Sequence, residues 1–228
     1  NASRDAKQMP EFIATMPDWC GTTRATIQRC QDASSLLSLW KESIKPAVVR
    51  ACSLLRSVTM ALSDPATKLR LDLIALIGEA DANAILSNLS GSSGNLASLG
   101  PLLGLAQAAD GKMSRETYLE HYGHRGPHEM ELFAPGSDDD PAWFEKQLAD
   151  FTRSPVDVEA LLANQRQAWE NAWKRMQAKH PREAHRFQKR LNVVAASAQN
   201  REAVRSEVTR IARLVRSFLL RVGEITGL

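Results

Sequence analysis

Residues 121–132 read "HYGHRGPHEMEL" and gather three of the chain's five histidines, one arginine and two glutamates into one stretch. Gly123, Gly126 and Pro127 forbid a regular helix there, because glycine opens the backbone and proline removes a donor. The segment is expected to be a turn that aims side chains and backbone amides at one point. Arg125 offers a planar fork suited to phosphate or carboxylate, and the adjacent His124 can donate a hydrogen bond or move a proton near neutral pH. Glu129 and Glu131 are placed to orient Arg125 or to accept from a hydroxyl. The competing reading is structural: Arg125 pairs with Glu129 or Asp138 and locks the turn. Residue types alone leave these two readings level.

Metal binding is the third possibility. His121, His124 and His128, with Glu129 and Glu131, are ligand types that suit zinc. A helical zinc motif needs two histidines four apart on an unbroken helix, and Arg-Gly-Pro separates His124 from His128. An arginine beside them also repels a cation, so no metal site is expected.

The elements that must hold this turn read as helices throughout. The chain has 228 residues, 43% of them apolar, with ten prolines and twelve glycines that fall mostly singly. Its long uninterrupted segments are rich in Ala, Leu, Arg, Glu and Gln, which is helical composition. No alternating run of β-branched and aromatic residues is long enough to found a sheet. The fold class is therefore all-α, a bundle of long, roughly antiparallel helices with the Gly/Pro turn between two of them. A single helical domain over 3–228 is expected, with a division into two subdomains, 3–113 and 114–228, as the alternative. The polar opening "NAS" reads as a tag remnant, and the chain as a fragment of a larger multidomain protein.

Helix boundaries follow from capping residues. A helix over 22–44 ends before Pro46, and another runs from Pro46 to about Ser63. Asp64 and Pro65 then open a third that leaves at Gly78. Ser114 caps "RETYLEHYG", Asp140 and Pro141 open the next helix, and Ser154 and Pro155 open one that reaches Lys179. After Pro181 one helix extends to about Ala198 and a last one runs from Asn200 to Gly223. Gly91, Gly94 and Gly100 suggest a phosphate loop, but no Lys-Ser/Thr follows and no strand precedes them. Trp169 and Trp173, one helical turn apart, fit a buried stripe better than an aromatic pocket.

Charge is uneven. Residues 1–159 carry 15 basic and 21 acidic side chains, a balance of −6, and residues 160–228 carry 14 basic and 5 acidic, a balance of +9. The basic part asks for an acidic neighbour: nucleic acid, a phosphorylated ligand, or the acidic part of the same molecule. No nucleic-acid reading motif is present, and arginines spread around helices usually form a solvated face. No stretch reaches the ~18 consecutive apolar residues of a membrane span. Cys20, Cys30 and Cys52 form no CxxC and suit reduced thiols, so a cytoplasmic protein is expected, with neither membrane nor nucleic acid as partner.

"YLEHYGHRGPHEMELFAPGSDDDPAWF" resembles the signature Tyr-Gly-His-Arg-Gly-Pro-Gly-Glu, followed by an acidic-Pro helix start, of the phosphoenolpyruvate-utilising phosphotransferases. This family includes phosphoenolpyruvate synthase (pyruvate, water dikinase) and rifamycin phosphotransferase. "AILSNLSGSSGNLASLGPLLGLA" before it and "REAVRSEVTRIARLVRSFLLRVGEITGL" after it are similar to the flanking parts of the same family. His128 stands where the signature has glycine. The resemblance implies the helical middle region of an ATP-dependent phosphotransferase, which binds a small-molecule acceptor. ATP and Mg would be held elsewhere in the full-length enzyme, and no cofactor in this region. Its partners would be ATP-binding and phosphohistidine domains of the same chain, without which the region is inactive. His124, Arg125 and Glu129 would be catalytic, and Tyr122, Gly123, Gly126 and Glu131 would bind substrate. The alternative is a purely structural helical linker or interaction module.

Overall fold

The computed structural model describes residues 2–87, 99–126, 128–137 and 139–227, with side chains from residue 7 onward. The loop holding Gly91 and Gly94, and the proposed partner Asp138, lie outside the described residues. Those described are all-α, with no strand among them. In chain order the helices are α1 (Ala2–Arg29), α2 (Ala33–Leu39), a π-helical turn (Trp40–Ile44), α3 (Lys45–Ile77), α4 (Glu79–Ser87), α5 (Gly100–Ala109), α6 (Arg115–Tyr122), α7 (Trp143–Arg153), α8 (Val158–Lys179) and α9 (Pro181–Thr226).

Several ends are set by the capping chemistry of their sequences. The side chains of Asp32, Ser114 and Asp157 accept from the backbone N–H of Ser35, Thr117 and Ala160 at the starts of α2, α6 and α8. Gly78, at φ 84°, takes a backbone conformation that only glycine adopts freely, and α3 stops there.

Other boundaries depart from the sequence reading. α3 runs through Pro65 instead of restarting at it. Leu62, Ala66, Leu69 and Leu73 pack on the same neighbours from both sides of the proline, and that packing outweighs one missing hydrogen bond. α9 is likewise continuous for 46 residues, about 69 Å at the usual rise. Its middle, "VVAASAQNREAV", contains no glycine or proline to stop it. α7 begins at Trp143 and α8 at Val158, each a little after the proline expected to open it.

Among the described residues three apolar clusters organise the fold. The first joins Phe12, Met16 and Ile27 of α1 and Ala51 and Leu54 of α3 to Val204, Ile211, Leu214 and Phe218 of α9. The second joins Leu69 and Leu73 of α3, Ala82 and Ile85 of α4 and Trp173 and Met176 of α8 to Phe187, Leu191 and Val194 of α9. The start of α3 thus meets the end of α9, and the end of α3 meets its start, so the two run in opposite directions. Trp169 and Trp173 stack at 5.7 Å and 6° within the second cluster, as a packed stripe. The third cluster is small: Leu105, Tyr118, Trp143 and Phe144, contributed by α5, α6 and α7. It frames residues 123–142, where the candidate site lies.

Candidate functional site

α6 hands the chain to the His-Arg segment at Gly123, whose N–H donates to Leu119 O at 2.9 Å, and Arg125 N then donates to Tyr122 O at 2.8 Å. The return toward α7 is tied back by Ser137 Oγ, which donates to Gly123 O at 2.7 Å. Asp140 orders the approach to α7 by accepting from Ala142 N at 2.9 Å and from Lys146 Nζ at 2.6 Å. Both bonds hold its carboxyl below the usual range, that from Lys146 most strongly.

One stripe of α9 fastens this segment to the rest of the molecule. Ser206 Oγ lies 2.7 Å from His124 Nε2. Arg205 Nη2 donates to Glu129 Oε1 at 2.6 Å, and Thr209 Oγ1 reaches Met130 Sδ. Arg213 donates to Ala134 O at 2.9 Å and to Asp139 Oδ2 at 2.7 Å. Arg216 donates to the same Asp139 oxygen at 2.9 Å and to Leu132 O. Positions 205, 206, 209, 213 and 216 recur at helical spacing, so they share a face.

Burial alone would raise the Asp139 pKa. The hydrogen bonds from Arg216 and from Gly136 N, with the charges of Arg216 and Arg213, outweigh it and hold the carboxyl ionised. Gly136 is required where it stands, since a Cβ there would lie 2.2 Å from Arg213 Nη2.

The two residues at the centre of the sequence reading are both buried. His124 has its pKa lowered to about 3, first by burial and then by the charges of Arg210 and Arg125. Its imidazole is neutral near physiological pH, and a group so weakly basic is poorly suited to removing a proton. The Arg125 side chain is 7% exposed, and its Nε stands 2.8 Å from Glu129 Oε2. That contact is an ion pair, and neither Arg125 Nε nor Nη1 has a hydrogen-bond partner. Arg213 Nε has none either, nor has His124 Nδ1, which is a donor when Nε2 accepts from Ser206 Oγ. Buried donors without partners are uncommon and costly.

These side chains meet at one place. A cavity of about 230 Å³ is lined by His124, Arg125, Glu129, Trp143, Gln147 and Arg213, with Gly123 and Gly126 in its wall. It is smaller than the ~300–1,000 Å³ of sites that swallow a drug-sized ligand, and suits a single anionic group.

Two expected residues lie outside the wall. Tyr122 lays its ring over Gly100 and Gly104, where a Cβ on either would come within 2.7 Å of it. Glu131 is exposed and faces His128 Nδ1 at 3.4 Å. Ser206, Arg213, Trp143 and Gln147 escaped the sequence reading. For Arg213, which meets Asp139, the spacing of arginines along α9 was the available signal. Among the described residues no group of three His, Cys, Asp or Glu side chains is arranged to hold a metal ion, and no helix is long and apolar enough to cross a membrane. No protein-family model matches the chain, and neither a curated protein nor a solved structure is significantly similar to it.

Proposed function

We propose that the cavity beneath residues 123–136 binds the anionic group of a small-molecule acceptor. In this reading the chain is the helical acceptor-binding region, a bundle of roughly antiparallel helices, of a phosphoenolpyruvate synthase-like, ATP-dependent phosphotransferase. The observation that carries the anion site is that His124, Arg125 and Arg213 line one small cavity, with Arg125 Nη1 and Arg213 Nε buried donors without a hydrogen-bond partner. An anionic oxygen is the partner such donors lack. The phosphotransferase assignment rests on the Gly-His-Arg-Gly signature, and ATP and Mg belong to domains outside this region.

Arg125 and Arg213 neutralise charge on the bound group, and Glu129 holds the Arg125 fork in place. His124 serves as a neutral hydrogen-bonding group that positions the acceptor, since its lowered pKa leaves it a poor base.

One observation favours the structural alternative. Glu129 is shared by Arg125 and Arg205, which is how a lock between turn and helix looks. Titrating the protein with inorganic phosphate and with phosphoenolpyruvate separates the two readings. An anion site predicts saturable binding that weakens at least about tenfold in Arg125→Gln. A pure lock predicts no saturable binding by the parent and a lowered melting temperature in the variant. In a chain carrying the ATP-binding and phosphohistidine domains, Arg125→Gln activity within about twofold of the parent would reject the catalytic role.

A further inference from the structure

A second concave site lies far along the chain from the His-Arg turn, between α3 and α9. It has a volume of about 740 Å³ and is lined on one side by Asp64, Pro65, Lys68 and Asp72, and on the other by Arg186, Lys189, Arg190, Val193 and Val194. The α9 positions fall at steps of three and four, so they form one stripe of that helix.

Much of the basic charge after residue 160 is answered within the molecule. Arg175 pairs with Asp81 at 2.6 Å, Arg205 with Glu129 at 2.6 Å and Arg213 with Asp139 at 2.7 Å. In the groove Arg190 is answered as well, by Asp72 at 2.7 Å, and its guanidinium lies over the Phe187 ring. Lys68, Arg186 and Lys189 are not: among the described residues no ion pair or hydrogen bond engages their head groups.

The groove is also polarised along its length. Asp72 meets Arg190 and the helices run in opposite directions, so Pro65 lies toward the Val193 and Val194 end and Arg186 toward the other. Val193 is 62% exposed there. From Arg186 to Val193 the lining stripe spans only about 10 Å, roughly two helical turns. A docked partner helix would need a longer track.

We infer that this groove binds a small phosphorylated compound with an apolar or planar body, its phosphate held by Arg186 and Lys189 and its body lying over Val193 and Val194. Lys68, on the α3 side, falls opposite Val194 by the same register and so lies at the apolar end, away from the phosphate. The inference is independent of the anion site at the turn.

The test uses two probes, inorganic phosphate and 1-naphthyl phosphate, titrated at low salt while backbone amide shifts are followed by nuclear magnetic resonance. Shifts should cluster in residues 64–72 and 186–194, and naphthyl phosphate should bind more tightly than phosphate. Arg186→Ala/Lys189→Ala should weaken both probes at least about tenfold, and Val193→Ser should weaken naphthyl phosphate alone. All three positions are exposed, so the variants should keep the parent's melting temperature. Arg125→Gln should leave these shifts unchanged, which separates this site from the turn. The inference fails if no shifts appear in these two stretches up to about 10 mM probe, or if the double variant binds within about twofold of the parent. It also fails if single-stranded DNA binds more tightly than either probe with shifts spread along all of α9.

Discussion

His124 shows how one buried group ties stability to pH. Unfolded, it titrates near its ordinary 6.5; folded, burial and the charges of Arg210 and Arg125 move it to about 3. Between those values the unfolded chain takes up a proton that the folded chain refuses. Its contribution is therefore complete above about 6.5 and is lost as pH falls toward 3. Glu207 acts in the opposite sense, since burial raises its pKa and acid relieves that penalty. Asp139 and Asp81, both lowered, add to acid instability only below the ordinary carboxylate range. The interval from 6.5 down to about 5 belongs mainly to the imidazole. Replacing His124 by Gln, whose amide reaches the position of the Nε2 that meets Ser206, should flatten the slope of the urea midpoint against pH in that interval. An unchanged slope would place the effect elsewhere.

Two glycines give opposite expectations at the same scale. At Gly136 a methyl group would drive into an Arg213 side chain that is 6% exposed and already bonded on both sides, so it has nowhere to swing. Gly136→Ala should cost about 2 kcal/mol in chemical denaturation. At Gly21, inside α1, an added Cβ meets nothing within 4 Å. Gly21→Ala should stabilise by about 0.5–1 kcal/mol, because alanine loses less freedom on entering a helix.

At the scale of elements, α9 does two jobs that the sequence displays unequally. Its apolar stripe of Val204, Val208, Ile211, Val215 and Phe218 was legible, because burial leaves a three- and four-residue rhythm. The arginines beside that stripe read as a solvated face. The structure instead buries Arg213 and sets it, with Arg216, around Asp139. Spacing says which residues share a face but not what covers it, and the covering segment lies about seventy residues earlier in the chain. The same limit explains the cavity, whose Arg125 and Glu129 were legible and whose Arg213 and Trp143 were not. Pro65 misled for a related reason: local breaking strength is readable, and the tertiary packing that overrides it is not. If Asp139 is what holds the loop to α9, Asp139→Ala leaves two arginines without their shared carboxylate. A loss of about 3 kcal/mol is expected, against less than about 1 kcal/mol for the exposed pair Arg153 and Asp150.

Across the whole molecule, α3 and α9 pass through both large clusters, while α5, α6 and α7 meet in a cluster of only four buried residues. The segment joining that small cluster to α9 is held chiefly by the charged and polar bonds of Arg205, Ser206, Arg213 and Arg216. Stability should therefore be uneven. Leu54→Ala and Met176→Ala, in different clusters, should each lower one shared unfolding transition by about 3 kcal/mol, because the same two rods connect them. The α5–α7 unit should open separately and at lower free energy, since little apolar area anchors it. Hydrogen exchange at rising denaturant distinguishes these cases: amides of α6 and α7 should exchange through a smaller opening than those of α3 and the middle of α9. Phosphate, if it occupies the cavity between this unit and α9, should slow exchange in α6 and α7 while leaving the α3 amides unchanged. Uniform protection across all these helices, with or without phosphate, would mean the site is as rigid as the core and that anion binding does not pin it.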